Sequence, residues 1–142
     1  MNKHMELEII TSTETAVKTT IKEIYIPAYY GEAGILENHL PYISLLNYGE
    51  ISYRDTQGID HYIFIEEGFT ENSGNKITIV SDSIERGEEM DGSEIEASYD
   101  ELNKKIQSAP KGEISPEELE DALLQQKKLK IKVDILKKLE KR

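Results

Sequence analysis

Apolar residues in the first ninety positions alternate with polar ones in several short runs. Leu7 and Ile9 mark the first run, and the segment 17–26 forms a longer one whose alternation changes phase near its middle, which predicts a β-bulge. Residues 62–65 are apolar on both faces, as expected of a strand buried between two layers. Turn-forming residues, as at 55–58, separate these runs. Many short strands with this spacing predict an antiparallel β-sandwich or barrel.

Beyond residue 90 the apolar residues recur with the period of an α-helix. Asp91 and Glu94 resemble the capping box that begins a helix. Ser115 followed by Pro116 is typical of the start of a second helix, and a break containing Pro and Gly separates the two at 108–112. The two helices are therefore expected to form a hairpin with a short connection.

The change of period predicts a β-sandwich N-terminal domain at 1–90 and a C-terminal two-helix antiparallel hairpin at 91–142. The second helix carries two apolar stripes on nearly opposite sides. One stripe consists of Leu119, Ala122, Leu123, Leu129, Val133 and Leu136, and the other of Leu124, Ile131, Ile135 and Leu139. One stripe can pack on the first helix, whereas the other needs the sandwich, another chain, or each in turn. Such a hairpin could detach and rearrange at a cost of about a few kcal/mol.

Charge is distributed unevenly along the chain, whose formal net charge is −11. The segment 125–142 holds eight Lys/Arg and two Asp/Glu, a local +6, and the remainder holds nine bases and 26 acids, a net −17. The acidic balance argues against a nucleic-acid partner. Cations near a helix C-terminus complement its dipole, but this explains only two or three of the lysines. We therefore favour an acidic partner surface for the basic segment.

Other compositional features exclude several classes of site. The chain has no cysteine, so it forms no disulfide or thiolate metal site. No apolar run of about 18 residues is present, so direct insertion into a membrane is not expected. The histidines at positions 4, 39 and 61 are too scattered to indicate a metal site.

The segment 31–41 follows neither period. It contains two glycines three residues apart, where the backbone is expected to need positive φ or close approach to a neighbour. Glu32, His39 and Pro41 punctuate its short apolar run. From the residue pattern alone, we predict a structured loop that crosses between two strands.

Short motifs stand in a fixed order along the first part of the chain, at residues 7–11, 31–36 with 39–41, 48–49, 68–69, 79–82 and 84–91, and with the helices that follow they carry a resemblance over nearly the whole length. In this order, and followed by a helical hairpin, they resemble the epsilon subunit of bacterial rotary ATP synthase, whose mitochondrial counterpart is called delta. The resemblance implies a non-catalytic rotor subunit in the central stalk of a proton-translocating enzyme. It would lie at the cytoplasmic face of the bacterial inner (plasma) membrane and be peripheral through the complex.

In this family the sandwich binds the foot of the gamma shaft and sits against the membrane rotor ring, which helps to couple the soluble motor to the ring. The helical hairpin is regulatory. It either folds on the sandwich or extends along the shaft toward the alpha and beta catalytic subunits, where it restrains ATP hydrolysis. The resemblance therefore implies gamma, the rotor ring, alpha and beta as partners.

The resemblance also implies site residues. Glu32, His39 and Pro41 match the family motif near the ring and gamma, with Glu32 expected to make a polar contact to the ring loops and His39 either part of this contact or bonded to loop backbone. The candidates for contact with an acidic segment of the catalytic subunit are Lys127, Lys128, Lys130, Lys132, Lys137 and Lys138. The chain departs from the family at Glu37-Asn38 and Tyr29-Tyr30, which leaves the details of the ring contact open.

A further departure concerns nucleotide binding. Some bacterial members bind ATP at the first helix through an Ile-Asp-x-x-Arg-Ala pattern. Here Asp91 is kept, but Glu94 replaces the arginine, and the only arginine beyond the first helix is the terminal Arg142. A carboxylate supplies neither the charge nor the fork geometry that arginine offers a phosphate. We therefore expect ATP binding to be absent or very weak, and no other cofactor.

Two other classes of protein fit the sequence less well. An enzyme with paired carboxylates is not favoured, because Glu66 and Glu67 would point to opposite faces of a strand and no P-loop or nucleophile elbow is present. The alternative is a free-standing β-sandwich binding module with a helical appendage, with carbohydrate as an example of its ligand. Its exposed aromatic residues would have to come from the cluster Tyr25, Tyr29 and Tyr30, which is more typical of packing or a protein interface.

Overall fold

The computed structural model of the chain describes residues 4–29, 31–36 and 42–141. The chain divides into two compact units, Met1–Arg86 and Gly87–Arg142. The division lies close to residue 90, near which the hydrophobic period changes. The first unit consists of strands and the second of helices, which confirms the predicted order of a β-sandwich followed by two helices.

Nine strands connect into one continuous sheet within the described residues. They are β1 (Met5–Ile10), β2 (Thr15–Ala28), β3 (Gly31–Leu36), β4 (Tyr42–Leu46), β5 (Gly49–Asp55), β6 (Asp60–Ile65), β7 (Gly68–Ser73), β8 (Lys76–Ser81) and β9 (Ile84–Arg86). One layer of the sandwich has the order β1-β8-β7-β4, and the other contains β3, β2, β5, β6 and β9. The pairing of β1 with β8 is parallel, and the other pairings are antiparallel.

The long strand β2 takes part in both layers. Its N-terminal half pairs with β1, and its C-terminal half pairs with β3 on one side and β5 on the other. The register with β5 shifts between Ile21 and Glu23, which confirms the predicted bulge. The bulge allows Ile21 and Ile24 to be fully buried although they are three residues apart.

The core of the sandwich lies between the two layers and is built from alternate residues of the strands. Its buried members are Met5, Leu7, Ile9, Val17, Ile21, Ile24, Ile26, Leu46, Ile51, Tyr53, Ile63, Ile65, Ile77 and Ile79. The burial of Leu7 and Ile9 confirms the alternation predicted for β1. On β6, Phe64 points away from this core and is nevertheless only 3% exposed, so this strand is buried on both faces as predicted.

The prediction of a loop at 31–41 is wrong for its first six residues. Gly31–Leu36 forms β3, which pairs with β2 from Ala28 opposite Gly31 to Glu23 opposite Leu36. Gly31 has φ = 130°, as the glycine pattern indicated. The backbone of β2 supplies hydrogen-bond partners whatever side chains β3 carries, so a strand forms without clear alternation.

The second unit is a hairpin of α1 (Gly92–Gln107) and α2 (Pro116–Glu140), preceded by a short 3-10 turn at Gly87–Glu89. The side chain of Asp91 accepts a hydrogen bond from the Glu94 N–H at 3.2 Å, and that of Ser115 accepts one from the Glu118 N–H at 3.1 Å. Both predicted N-caps are thus confirmed. A second 3-10 turn, Ala109–Lys111, and left-handed Gly112 break the chain between the helices.

The first apolar stripe of α2 faces α1. Ala122 and Val133 of this stripe are buried, and Leu136 lies next to Gly92 of α1. On the same side, the amide of Gln126 donates to Asn103 Oδ1 at 2.7 Å. The second stripe differs along its length, because Ile135 is fully buried whereas Leu124 is 39% exposed.

Candidate functional site

Four strands of the sandwich carry apolar side chains on their outer face. Cross-strand pairing places Ile10 opposite Val80, Val80 opposite Phe69, and Phe69 opposite Leu45. Their strand neighbours Ile9, Ile79, Thr70 and Leu46 are fully buried, so these four side chains point outward. We call this set the apolar row. Leu45 is 64% exposed and Phe69 41% exposed.

Two further residues extend the apolar row at β4. Ile43 lies on the same face as Leu45, two residues away, and is 74% exposed. The backbone N–H of Tyr29 donates to the Leu45 carbonyl oxygen at 3.2 Å, which brings Tyr29, 58% exposed, to the end of the row. Single exposed apolar residues are common on proteins, whereas a contiguous set of this kind indicates a docking surface.

The neighbouring cross-strand row is acidic. Glu8 lies opposite Thr78, Thr78 opposite Glu71, and Glu71 opposite Ile43. The Glu8 carboxylate is 3.7 Å from Lys76 Nζ. A partner that covers the apolar row would therefore meet carboxylates along one side of it, which favours a basic rim on that partner.

The structure gives limited information on the predicted ring-contact residues. Glu32 lies in β3 opposite Pro27 of β2, and its side chain is outside the described part of the structure. His39 and Pro41 both lie outside the described residues. The contact expected for these three residues stays a prediction.

All six candidate lysines lie on α2: Lys127, Lys128, Lys130, Lys132, Lys137 and Lys138. At 3.6 residues per turn they are spread around the helix and do not share one face. Lys130 Nζ is 3.0 Å from Asp134 Oδ1, and this hydrogen bond together with the charge of Asp134 raises the pKa of Lys130. Lys127 and Lys137 are exposed, with no ion-pair partner among the residues that the structure describes.

The apolar row was missed by the sequence reasoning. Its strongest signal is the segment of β4, where Ile43 and Leu45 alternate with Ser44 and Leu46, so that apolar residues occur on both faces. The sequence alone does not show whether Ile43 and Leu45 or their neighbours face the core. The pairing of β4 with β7 also places Phe69 beside Leu45.

The described residues contain neither a metal-binding cluster nor a membrane-spanning helix. In residues 4–29, 31–36 and 42–141, no group of His, Asp and Glu is arranged to hold a metal ion. No helix in this part of the chain is long and apolar enough to cross a membrane.

Comparison with known proteins identifies the family. The family model described as ATP synthase, Delta/Epsilon chain, beta-sandwich domain matches residues 4–87. The ATP synthase epsilon chain of Nitratidesulfovibrio vulgaris (strain DSM 19637 / Miyazaki F) is 41% identical over 91 residues, which are 64% of this chain and 67% of the relative. That of Desulfosudis oleivorans is 32% identical over 108 residues, or 76% of this chain and 81% of the relative.

The fold is also similar to a solved structure. A chain in the Euglena gracilis mitochondrial ATP synthase, solved as OSCP/F1/c-ring in rotational state 1, matches with a TM-score of 0.67 and 21% identity. The match covers 96% of this chain and 79% of that chain, and it supports the fold alone. From the family model and the epsilon-chain relatives together, we conclude that the chain belongs to the delta/epsilon family of ATP synthase subunits.

Proposed function

We propose that this chain is a non-catalytic rotor subunit in the central stalk of a proton-translocating ATP synthase, and that the apolar row attaches it to the gamma subunit. The observation that carries the proposal is the exposure of Phe69, Leu45 and Ile43 side by side on one rigid layer. Burial of apolar surface is the main favourable term in most protein association. The relatives named ATP synthase epsilon chain support the assignment of the partner.

The attachment to the membrane rotor ring is assigned to the segment that follows β2. Glu32, His39 and Pro41 match the family motif, and Glu32 lies on β3, which is anchored by its pairing to β2. A carboxylate held on an anchored strand can accept hydrogen bonds from polar ring loops. Through these contacts the chain would be peripheral to the bacterial plasma membrane on its cytoplasmic face, with the ring and gamma coupled through one sandwich.

The helical hairpin is assigned a regulatory role, in which it restrains ATP hydrolysis by contact with the alpha and beta catalytic subunits. The basic segment of α2 supports this proposal, since Lys127 and Lys137 are exposed and available to acidic surfaces. Single exposed ion pairs contribute only about 0–1 kcal/mol, so several lysines must act together. Their distribution around the helix suits a partner that encloses α2 more than one that touches a single side.

We also propose that the hairpin does not bind ATP with useful affinity. Asp91, the residue retained from the family pattern, already accepts the Glu94 N–H as an N-cap. Glu94 itself is exposed and negatively charged where the pattern has arginine. Two carboxylates at this helix start would repel a triphosphate. Calorimetry that gave a micromolar dissociation constant for ATP would contradict this.

One reconstitution experiment tests the attachment and the regulation together. The soluble catalytic part of the ATP synthase, depleted of its own epsilon chain, receives either the full chain or a version that ends at Met90. Binding is measured by co-sedimentation, and ATP hydrolysis is measured at saturation. We expect both versions to bind and only the full chain to slow hydrolysis. Binding without slowing by the full chain would overturn the regulatory proposal and leave the attachment intact.

A matched pair of substitutions tests the apolar row. Leu45→Glu places a charge in the row, and Ile59→Glu places one at another exposed apolar position, 39% exposed, in the connection between β5 and β6. We expect Leu45→Glu to weaken binding to the depleted motor by about tenfold or more, because the charge loses water on docking. Equal effects of the two substitutions would show that the row is not the attachment surface.

A further inference from the structure

The two carboxylates in the acidic row beside the apolar row differ in their partners. Glu8 of β1 lies 3.7 Å from Lys76 Nζ. Glu71 of β7 is exposed and has no hydrogen bond or ion pair among the residues that the structure describes. Lys76 is the only basic residue of β8, the strand that separates β1 from β7. Of the two carboxylates, only Glu71 is therefore left to be neutralised from outside the protein.

Glu71 completes a four-residue patch whose other members are apolar. Leu45 lies opposite Phe69, and Ile43 lies opposite Glu71, so the four outward side chains stand at the corners of a rectangle on β4 and β7. Opposite residues have Cβ atoms about 5 Å apart, and residues two apart along a strand are about 7 Å apart. A partner surface that covers the three apolar corners therefore reaches the fourth.

Docking on this patch removes water from the Glu71 carboxylate. A charge that loses water and gains no partner weakens binding strongly. A cation placed against the carboxylate offsets this loss and adds a charge-assisted hydrogen bond. The net charge of −17 outside the segment 125–142 also favours a cationic surface and speeds its approach.

We propose that Glu71 forms an ion pair with a lysine or arginine of the gamma subunit at the edge of the apolar row. This inference rests on the proposed attachment of the row to gamma and assigns a specificity-determining residue within it. Apolar contacts are non-directional, so the row by itself tolerates more than one orientation of the partner. Because Glu8 is already paired with Lys76, the attraction for a cation is greatest at Glu71, and this asymmetry selects one orientation.

The first test compares two substitutions that remove the same charge from the same row. Glu71→Gln deletes the unpaired carboxylate, and Glu8→Gln deletes the one beside Lys76. Surface plasmon resonance measures binding of each full-length variant to the immobilised soluble motor depleted of its own epsilon chain. We expect Glu71→Gln to raise the dissociation constant about tenfold, mainly through faster dissociation, and Glu8→Gln to raise it less than about threefold.

A charge exchange tests the ion pair directly. Glu71→Lys brings like charges together and is expected to weaken binding by about a hundredfold. Single Lys→Glu and Arg→Glu substitutions on gamma are then screened, and one of them is expected to recover at least about tenfold of this loss. The same gamma substitution should not improve the binding of Glu8→Lys, which is the matched control. Circular dichroism of each variant verifies that the sandwich is folded.

The outcomes separate this inference from the attachment on which it rests. If Leu45→Glu weakens binding more than Ile59→Glu does, while Glu71→Gln and Glu8→Gln have equal effects, the row attaches the chain and the ion pair at Glu71 is overturned alone. Absence of any gamma substitution that rescues Glu71→Lys would also overturn the ion pair. Equal effects of Leu45→Glu and Ile59→Glu would overturn the attachment and the ion pair together.

Discussion

The sandwich and the hairpin bury their apolar residues in different ways. In the sandwich, side chains from strands that are distant in sequence meet in one core, whereas the hairpin packs two helices that follow each other directly. Few hairpin residues are buried: Ile95, Ala122, Val133 and Ile135 among the hydrophobic ones. We therefore expect the core strands of the sandwich to open only in global unfolding, and the hairpin, with few buried apolar residues, to open at a lower free energy.

The largest expected effect comes from breaking the core of the sandwich. Ile24→Ala removes a fully buried side chain of β2, and we expect it to lower the free energy of unfolding by about 2–5 kcal/mol. Leu124→Ala on α2, where the side chain is 39% exposed, is the matched control and should cost less than about 1 kcal/mol. Urea unfolding followed by circular dichroism measures both, because the chain has no tryptophan. Similar costs would contradict the contrast between the two units.

A smaller effect is expected from removing a helix cap in the hairpin. Ser115→Ala deletes the acceptor of the Glu118 N–H and should destabilise α2 by about 1 kcal/mol. Amide hydrogen exchange should become faster in the first turns of α2 and stay unchanged in the strands of the sandwich. Ser93→Ala, at an exposed first-turn position of α1, is the control. Faster exchange throughout the sandwich after Ser115→Ala would mean that the two units do not unfold separately.

The smallest effect is a pH dependence confined to the sandwich. Asp55 has a pKa below its ordinary value, first because its side chain is hydrogen-bonded to His61 at 2.8 Å and next because it accepts the backbone N–H of Ile59. A carboxyl group with a lowered pKa stabilises the fold above its unfolded pKa of about 4, and this contribution disappears as the pH falls through the lowered value.

We therefore expect the sandwich to lose stability as the pH falls below about 4, and to lose less of it when Asp55→Asn removes the titrating group. Urea titrations at several pH values measure the difference between the two proteins. A parallel decline in both would show that other groups cause the acid sensitivity.

Features decided by residues close in sequence were predictable. The two N-caps, at Asp91 and Ser115, and the bulge after Ile21 each depend on a few neighbouring positions, and all three predictions are confirmed. These features can be predicted because a cap involves only the residues of one helical turn, and the alternation of a strand is visible within that strand.

Features decided by pairing between distant strands were not predictable. β3 forms because β2 offers a hydrogen-bonding edge, which the glycine-rich segment itself does not reveal. The contact between Leu45 and Phe69 in the apolar row depends on the register of β4 with β7, and a shift by one residue would turn each side chain to the other face. The apolar row could therefore be recognised only from the structure, because in the sequence each of its residues is an ordinary strand residue.

The passage of β2 through both layers has a mechanical consequence. A lateral force on the layer that carries the apolar row reaches the opposite layer through a covalently continuous strand as well as through side-chain packing. Sliding of one layer over the other would have to break either the hydrogen-bond ladder between β2 and β1 or the ladders that β2 makes with β3 and β5. A small sandwich tied in this way is expected to resist shear between its two layers.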